Sequence, residues 1–189
     1  MIPTREEAKR LLAEAEVHNP GAWARHSEVV AFCAERIAQA CPDLDAEKAY
    51  VLGLLHDIGR HFGVKHFGHI YDGYRYMTEL GYDEVARVCA SHSFSIQRME
   101  DYVGNMDVTK DEQQIIKNYL DRMVYDDYDR LIQLCDSIGA AEGVVPMEER
   151  MGDVKRRYGA YPQDKWDKNL WLKDYFSEMA GKDVYSLFI

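Results

Sequence analysis

No stretch of this chain is apolar for the roughly 20 residues that a bilayer crossing needs, which excludes a membrane-spanning helix. No glycine/serine linker, internal repeat or low-complexity block divides the 189 residues, so one domain, residues 1–189, with a sizeable core is expected. An apolar signal core is also missing: the chain opens with Thr4-Arg5-Glu6-Glu7, and a cytoplasmic location is expected. Cys33, Cys41, Cys89 and Cys135 lack paired spacing and sit in apolar, helix-like contexts, which predicts buried free thiols rather than a disulfide framework. Positive charge is in deficit, with 23 Lys and Arg against 33 Asp and Glu for a net −10. That field repels a phosphate backbone, so nucleic acid is not an expected partner, and neither is a membrane. A small anionic substrate stays open, because screening beyond about 8 Å mutes distant charge inside a cleft. Convincing period-two segments are absent as well. The fold class is therefore all-α.

What is present is a series of helices with short punctuation. Thr4-Arg5-Glu6-Glu7 is a capping box for a first helix ending near residue 17. Asn19-Pro20 reads as an N-cap followed by proline at the first helical position, starting a second helix to about residue 41. Its buried stripe is Trp23, His26, Val30, Cys33 and Ile37, which turns His26 inward. Asp45 caps a third helix over 46–58 that has little polar face and should be central. Residues 61–68 form a glycine-punctuated loop. Helices are expected over about 69–79 and 83–91, then a polar surface loop or partial helix over 93–108. Thr109-Lys110-Asp111-Glu112 is a second capping box, for a helix to about residue 120. Helices over 126–142, 146–158 and 164–180 complete the series. The apolar tail Val184-Tyr185-Ser186-Leu187-Phe188-Ile189 is expected on the protein's own surface or on a partner subunit, which leaves a homodimer open.

Chemistry concentrates at Leu54-Leu55-His56-Asp57-Ile58-Gly59-Arg60. Neighbouring helix residues point about 100° apart, but at a last turn both side chains can converge on an ion beyond the helix end. Gly59 suits a left-handed C-terminal cap. His56 and Asp57 offer the N and O donors that hold Fe, Mn, Co, Ni or Zn. Asp136 interrupts the apolar run Leu131-Ile132-Gln133-Leu134-Cys135-Asp136-Ser137-Ile138, where a buried carboxylate must be paired or coordinate a metal. One cation would satisfy His26, the His56-Asp57 pair and Asp136 together; a buried ion-pair network without metal is the bland alternative.

A histidine, then His-Asp about 30 residues later, then Asp about 80 residues further on resembles the HD superfamily of metal-dependent phosphohydrolases. His56-Asp57-Ile58-Gly59 matches its commonest signature, His69-Ile70-Tyr71-Asp72-Gly73 resembles its following His-xxx-Gly segment, and His92 resembles the histidine found one helix later. The resemblance covers about 22–142, with the C-terminal helices 146–180 expected to pack on that core. It implies a helical bundle in which His26, His56, Asp57 and Asp136 hold a first metal. His69 and His92 would complete a second site with Asp57 bridging; His66 is the alternative to His69. The six residues look most like the bacterial diadenosine-tetraphosphatase branch, whose centre is di-iron, which makes iron the expected metal. Tyr74 after Gly73 and Ser93-Phe94 after His92 depart from that branch, and no Gly-Tyr-Pro motif points to the cyclic-di-GMP phosphodiesterases.

The implied activity is hydrolysis of a nucleotide or other small phosphoester by hydroxide generated at one or two metal ions. Asp57 would bridge the ions and take a proton; Arg60 and Lys65 are candidates to neutralise phosphate charge. Exposed cations more often solvate a loop. Tyr71, Tyr74 and Tyr76 fit either a nucleotide cleft or helix packing. Lys155-Arg156-Arg157 reads as a solvated helix end. A catalytically silent metal- or nucleotide-binding sensor, or a structural helical module, are the competing functions.

Overall fold

Thr4 starts the first helix, α1 (Arg5–His18), by accepting a hydrogen bond from the Glu7 N–H at 3.2 Å. Only half of the expected capping box forms, because the Glu7 carboxylate turns to Arg10 instead of back to Thr4. In the computed structural model, which describes residues 1–189, the second helix, α2 (Ala22–Ala40), begins later than Asn19-Pro20 implies. Asn19 is used elsewhere: its N–H closes α1 on Ala15, and its side-chain amide donates to the Arg60 carbonyl at 2.6 Å. Along α2 the stripe His26, Val30, Cys33 and Ile37 is buried as its spacing requires, while Trp23 is half-buried.

Asp45 caps α3 (Ala46–Leu55) through the Lys48 N–H at 3.0 Å. This helix lies at the centre, with Ala49, Val51, Leu52, Leu54 and Leu55 all buried. A Cβ on Gly53 would stand 2.8 Å from the Ala31 Cα, so α2 and α3 meet backbone to backbone at that level. The helix stops at Leu55, short of residue 58. His56 and Asp57 form the joint to a 3₁₀ turn, Ile58–Phe62.

Four further helices surround this pair: α4 (Gly68–Glu79), α5 (Asp83–Ser91), α6 (Lys110–Arg122) and α7 (Asp127–Ile138). α6 has the full capping box that Thr109 and Glu112 predict. Residues 93–108 are more than a surface loop. They include a 3₁₀ turn, Met99–Asp101, and bury Phe94 and Met99 in a small core with Phe67, Ile70, Ile116 and Leu120. α7 ends at Ile138 rather than 142, because Gly139–Ala140 turns to pair antiparallel with Gly143–Val144. α8 (Met147–Tyr158) and α9 (Gln163–Ala180) return to the main core through Met147, Met151, Leu172 and Phe176. The tail docks on the chain itself: Val184 and Leu187 are buried, and the Leu187 carbonyl accepts from Arg36 Nε at 3.1 Å. All four cysteines are buried free thiols. No helix is long and apolar enough to cross a membrane.

One ion pair ties the start of α7 to α5. Asp129, fully buried, accepts from Arg87 Nε at 3.0 Å on both oxygens, from the Ser91 hydroxyl at 3.1 Å, and from the Asp126 N–H at 3.0 Å. Removing one partner of such a pair strands the rest. Asp129→Ala is therefore expected to lower stability by about 3–5 kcal/mol in urea unfolding at neutral pH. A loss below about 1 kcal/mol would show the clasp to be dispensable.

Candidate metal centre

The centre is built from ends of helices, where side chains are free to converge. His56 sits just past the end of α3 with its Nδ1 2.7 Å from the Gly53 carbonyl. On α4, His69 Nδ1 contacts the His66 carbonyl; just past α5, His92 Nδ1 lies 3.1 and 3.0 Å from the Val88 and Cys89 carbonyls. A carbonyl only accepts, so in each ring Nδ1 carries the proton and Nε2 presents a lone pair. The three rings face one another, with centroids 5.1 Å apart for His56–His92 and 5.4 Å for His69–His92.

Asp57 stands among these lone pairs. Its Oδ1 is 3.1 Å from His69 Nε2 and 3.5 Å from His92 Nε2, and the two Nε2 atoms are 3.3 Å apart. Its Oδ2 accepts from Arg60 Nε at 2.6 Å. Across the site, His26 Nε2 lies 3.0 Å from Asp136 Oδ1, and His56 Nε2 lies 3.8 Å from the same oxygen. The donor atoms fall into two triads that share Asp57: His26, His56, Asp57 and Asp57, His69, His92, the atoms of each within 4.8 Å of one another. Asp136 stands outside both triads and reaches the cluster through His26 and His56.

Burial opposes charge on both carboxylates, yet both are held well below the usual range. For Asp57 the cause is Arg60, then His69 and His56; for Asp136 it is His26, at hydrogen-bond distance, and the nearby His56. Burial and the neighbouring His56 drive the His92 pKa down to about 3, so that ring is a neutral donor. Burial also works against charge on His56, but Asp57 and Asp136 more than offset it. His56 Nε2 is fully buried with no hydrogen-bond partner. That orphaned lone pair, beside two ionised carboxylates and a second set of imidazoles, fits a divalent cation. The N and O donors suit Fe, Mn, Co, Ni or Zn.

Glycines make the convergence possible, though not as the sequence suggests. Gly59 does not adopt a left-handed cap; it lies in the 3₁₀ turn, and its φ is not positive. Its role is close approach: a Cβ there would stand 1.9 Å from the His69 carbonyl and 2.5 Å from the Gly73 N.

Of the remaining residues singled out in the sequence, Arg60 and Lys65 both line the cavity over the centre, which has a volume of about 780 Å³. The Lys65 ammonium is already bonded to Asp72 at 2.5 Å. His66 is turned toward Tyr158, 3.3 Å from its hydroxyl, and only its carbonyl serves the cluster by orienting His69. Tyr74 packs on Tyr119 and Tyr76 stacks on His61, so their role is helix packing. The cavity is walled instead by Tyr102, Tyr158 and Tyr161, by Arg156 and Arg157, and by Ser95 and Lys165. Lys165 is absent from the residues that the motifs single out, although a Lys at the head of the buried series Lys165, Asn169, Leu172, Phe176 is an anomaly visible in the sequence.

A helical bundle with buried His/Asp triads sharing one aspartate defines an all-α domain fitted to hold divalent metal. The family model for the HD domain matches residues 23–141. The chain belongs to the HD domain family, most of whose members are metal-dependent hydrolases. Neither the curated proteins nor the solved structures contain a significant match to it.

The tight contact at Gly59 yields a clean test. Gly59→Ala is expected to destabilise the protein by at least about 2 kcal/mol and to weaken metal uptake, because α4 must retreat with His69. Gly152→Ala, inside α8 with only the tip of Arg156 at 3.6 Å from the new Cβ, should be neutral or stabilising by up to about 1 kcal/mol. Equal stabilities for the two variants, read by urea unfolding, would refute the close-approach argument.

Proposed function

We propose that this protein is a metal-dependent phosphohydrolase acting on a small phosphoester, most plausibly a nucleotide, with His26, His56, Asp57 and Asp136 holding one ion and Asp57, His69 and His92 a second. The observation that carries this reading is the set of Nε2 atoms turned toward carboxylates, His69 and His92 toward Asp57 and His56 toward Asp136, each ring fixed by a backbone carbonyl behind it. A bound divalent cation would supply the Lewis acidity that makes water a nucleophile near neutral pH.

The chain's own groups account for the rest. Asp57, kept ionised by Arg60, is a shared anionic donor between the two triads and a proton acceptor beside the nucleophile. Arg60 holds Asp57 through Nε while its Nη1 reaches the Lys65 carbonyl at 3.4 Å, so the remaining guanidinium protons are available to a phosphoryl oxygen. Lys65 would contribute as a point charge after exchanging Asp72 for substrate. The cavity has room for a nucleotide, and Tyr102, Tyr158 and Tyr161 give it aromatic faces. The six-histidine-and-aspartate pattern resembles the diadenosine-tetraphosphatase branch, which makes dinucleoside polyphosphates the first substrates to try and iron the first metal.

Two measurements decide the matter. By elemental analysis of purified protein, His56→Ala and Asp57→Ala are expected to retain no tightly bound ion, and His92→Ala to fall toward one ion per chain; unchanged metal content in His56→Ala and Asp57→Ala would defeat the ligand assignment. In a panel of phosphomonoesters, cyclic nucleotides and dinucleoside polyphosphates, protein loaded with Fe, Mn, Co or Ni should release phosphate or nucleotide at least about 10³-fold faster than Asp57→Ala. Full metal occupancy without turnover of any of them would favour a metal-holding sensor instead.

A further inference from the structure

Lys165 is a charge the centre described so far does not use. It lies in the first turn of α9, only 7% exposed, and lines the same cavity as the metal centre. Its ammonium donates to the carbonyls of Ser93 at 2.9 Å and Asp101 at 3.1 Å, both neutral acceptors. No carboxylate pairs with it. The Asp101 carboxylate belongs to Arg98, and Asp136 makes its close contact with His26. Other buried ionic groups here are matched, as Arg60 is with Asp57 and Arg87 with Asp129. Burial without a counter-ion draws the Lys165 pKa down to about 8. An ammonium has three protons, and two are spent on the carbonyls.

A second group on the same wall is equally unmatched. Ser95 is 5% exposed, its hydroxyl is buried without a hydrogen-bond partner, and it too lines the cavity. The Ser93 carbonyl that holds Lys165 follows directly on His92, so ammonium and hydroxyl stand on the wall that carries one of the candidate ligands. A buried cation lacking an anion and a buried hydroxyl lacking a partner are each costly alone. Both line one cavity, where the oxygens of an oxyanion would give each the partner it lacks.

We propose, resting on the phosphohydrolase reading above, that Lys165 and Ser95 form an anion subsite beside the metal centre, donating the third Nζ–H and the Oγ–H to oxygens of a phosphoryl group of the substrate. α9 lies outside the segment 23–141 that matches the family model, whereas Ser95 lies inside it, so the subsite joins a residue of the matched segment to one beyond it. Arg150, Arg156 and Arg157 of α8 line the same cavity and extend its positive side.

The test is calorimetric titration of Mn(II)-loaded protein with inorganic phosphate, with metal content measured on each sample. Lys165→Met should weaken phosphate binding about 10- to 100-fold at unchanged metal content, the scale of a lost charge-assisted hydrogen bond. Ser95→Ala should weaken it about fivefold while unfolding in urea no earlier than the parent, because the hydroxyl removed has no partner to strand. A merely structural Lys165 would leave Ser95→Ala with parental affinity, and that result overturns the subsite even if Lys165→Met fails to fold. Parental affinity in both variants overturns it while leaving the phosphohydrolase reading intact. Metal-loaded parent protein that neither binds phosphate nor hydrolyses any phosphoester overturns that reading, and the subsite with it.

Discussion

Three imidazoles that each spend their only neutral-state proton on a backbone carbonyl set the terms for the whole molecule. With Nδ1 committed behind the ring, His56, His69 and His92 have nothing but lone pairs to offer in front, where Asp57 stands before His69 and His92 and Asp136 before His56. Extra protons relieve this only in part. A proton on His69 Nε2 would satisfy Asp57 at 3.1 Å and could be shared with His92 at 3.3 Å. His56 Nε2 gains nothing from it, since its nearest carboxylate oxygen, on Asp136, is 3.8 Å away, beyond hydrogen-bond reach. His92, with its pKa pushed to about 3, does not take up the charge at neutral pH. A divalent cation in each triad would give every one of these lone pairs a partner, and a network of ion pairs alone does not.

Holding four helix ends this close demands that backbone approach backbone. α3 has to be short, ending at Leu55, for His56 and Asp57 to leave the helical screw and face the same point. Its Gly53 lies against Ala31 of α2, which brings His26 alongside, with the His26 and His56 rings 5.2 Å apart. Gly59 and Gly73 let the 3₁₀ turn lie on α4, and Gly73 in turn packs against Cys89 of α5. The Arg87–Asp129 clasp then fixes α5 against the start of α7, the helix that carries Asp136. The candidate ligands are thus positioned by contacts made by neighbouring residues.

This distribution explains what could be read from the chain. Local signals survived folding wherever a short-range bond decides the outcome: Asp45 and Thr109 cap their helices, and the spacing of His26 with Val30, Cys33 and Ile37 puts it inside. The six His and Asp residues gather as their order along the helices implied, though Asp136 meets the others only through imidazoles. Signals failed where a distant partner outcompetes the local one. Asn19 would cap α2 were it not drawn to the Arg60 carbonyl, 41 residues away. Gly59 looks like a helix terminator because a left-handed cap and a close approach both call for a missing Cβ, and sequence does not distinguish the two. Phe94 and Met99 read as part of a surface loop or partial helix because their core partners lie largely on α4 and α6 rather than in their own period.

The same contrast separates the chemistry of the site from its selectivity. The candidate ligand residues all fall within the family segment, whereas much of the cavity's outer wall comes from α8 and α9, beyond residue 141. On a chain of net charge −10, these two helices bring Arg150, Arg156, Arg157 and Lys165 to the mouth and wall of one cavity. Carboxylates of Glu149 and Asp153 accompany them, and Asp153 already holds Arg156 and Arg157, so the outer cations are largely compensated and exposed. Lys165 differs on both counts, being desolvated and unpaired. In a low-dielectric wall one such charge outweighs several screened ones at the rim. In the proposed subsite, recognition of an anion would therefore depend on the single buried ammonium far more than on the arginine-rich end of α8, even though that end is the more conspicuous feature of the sequence.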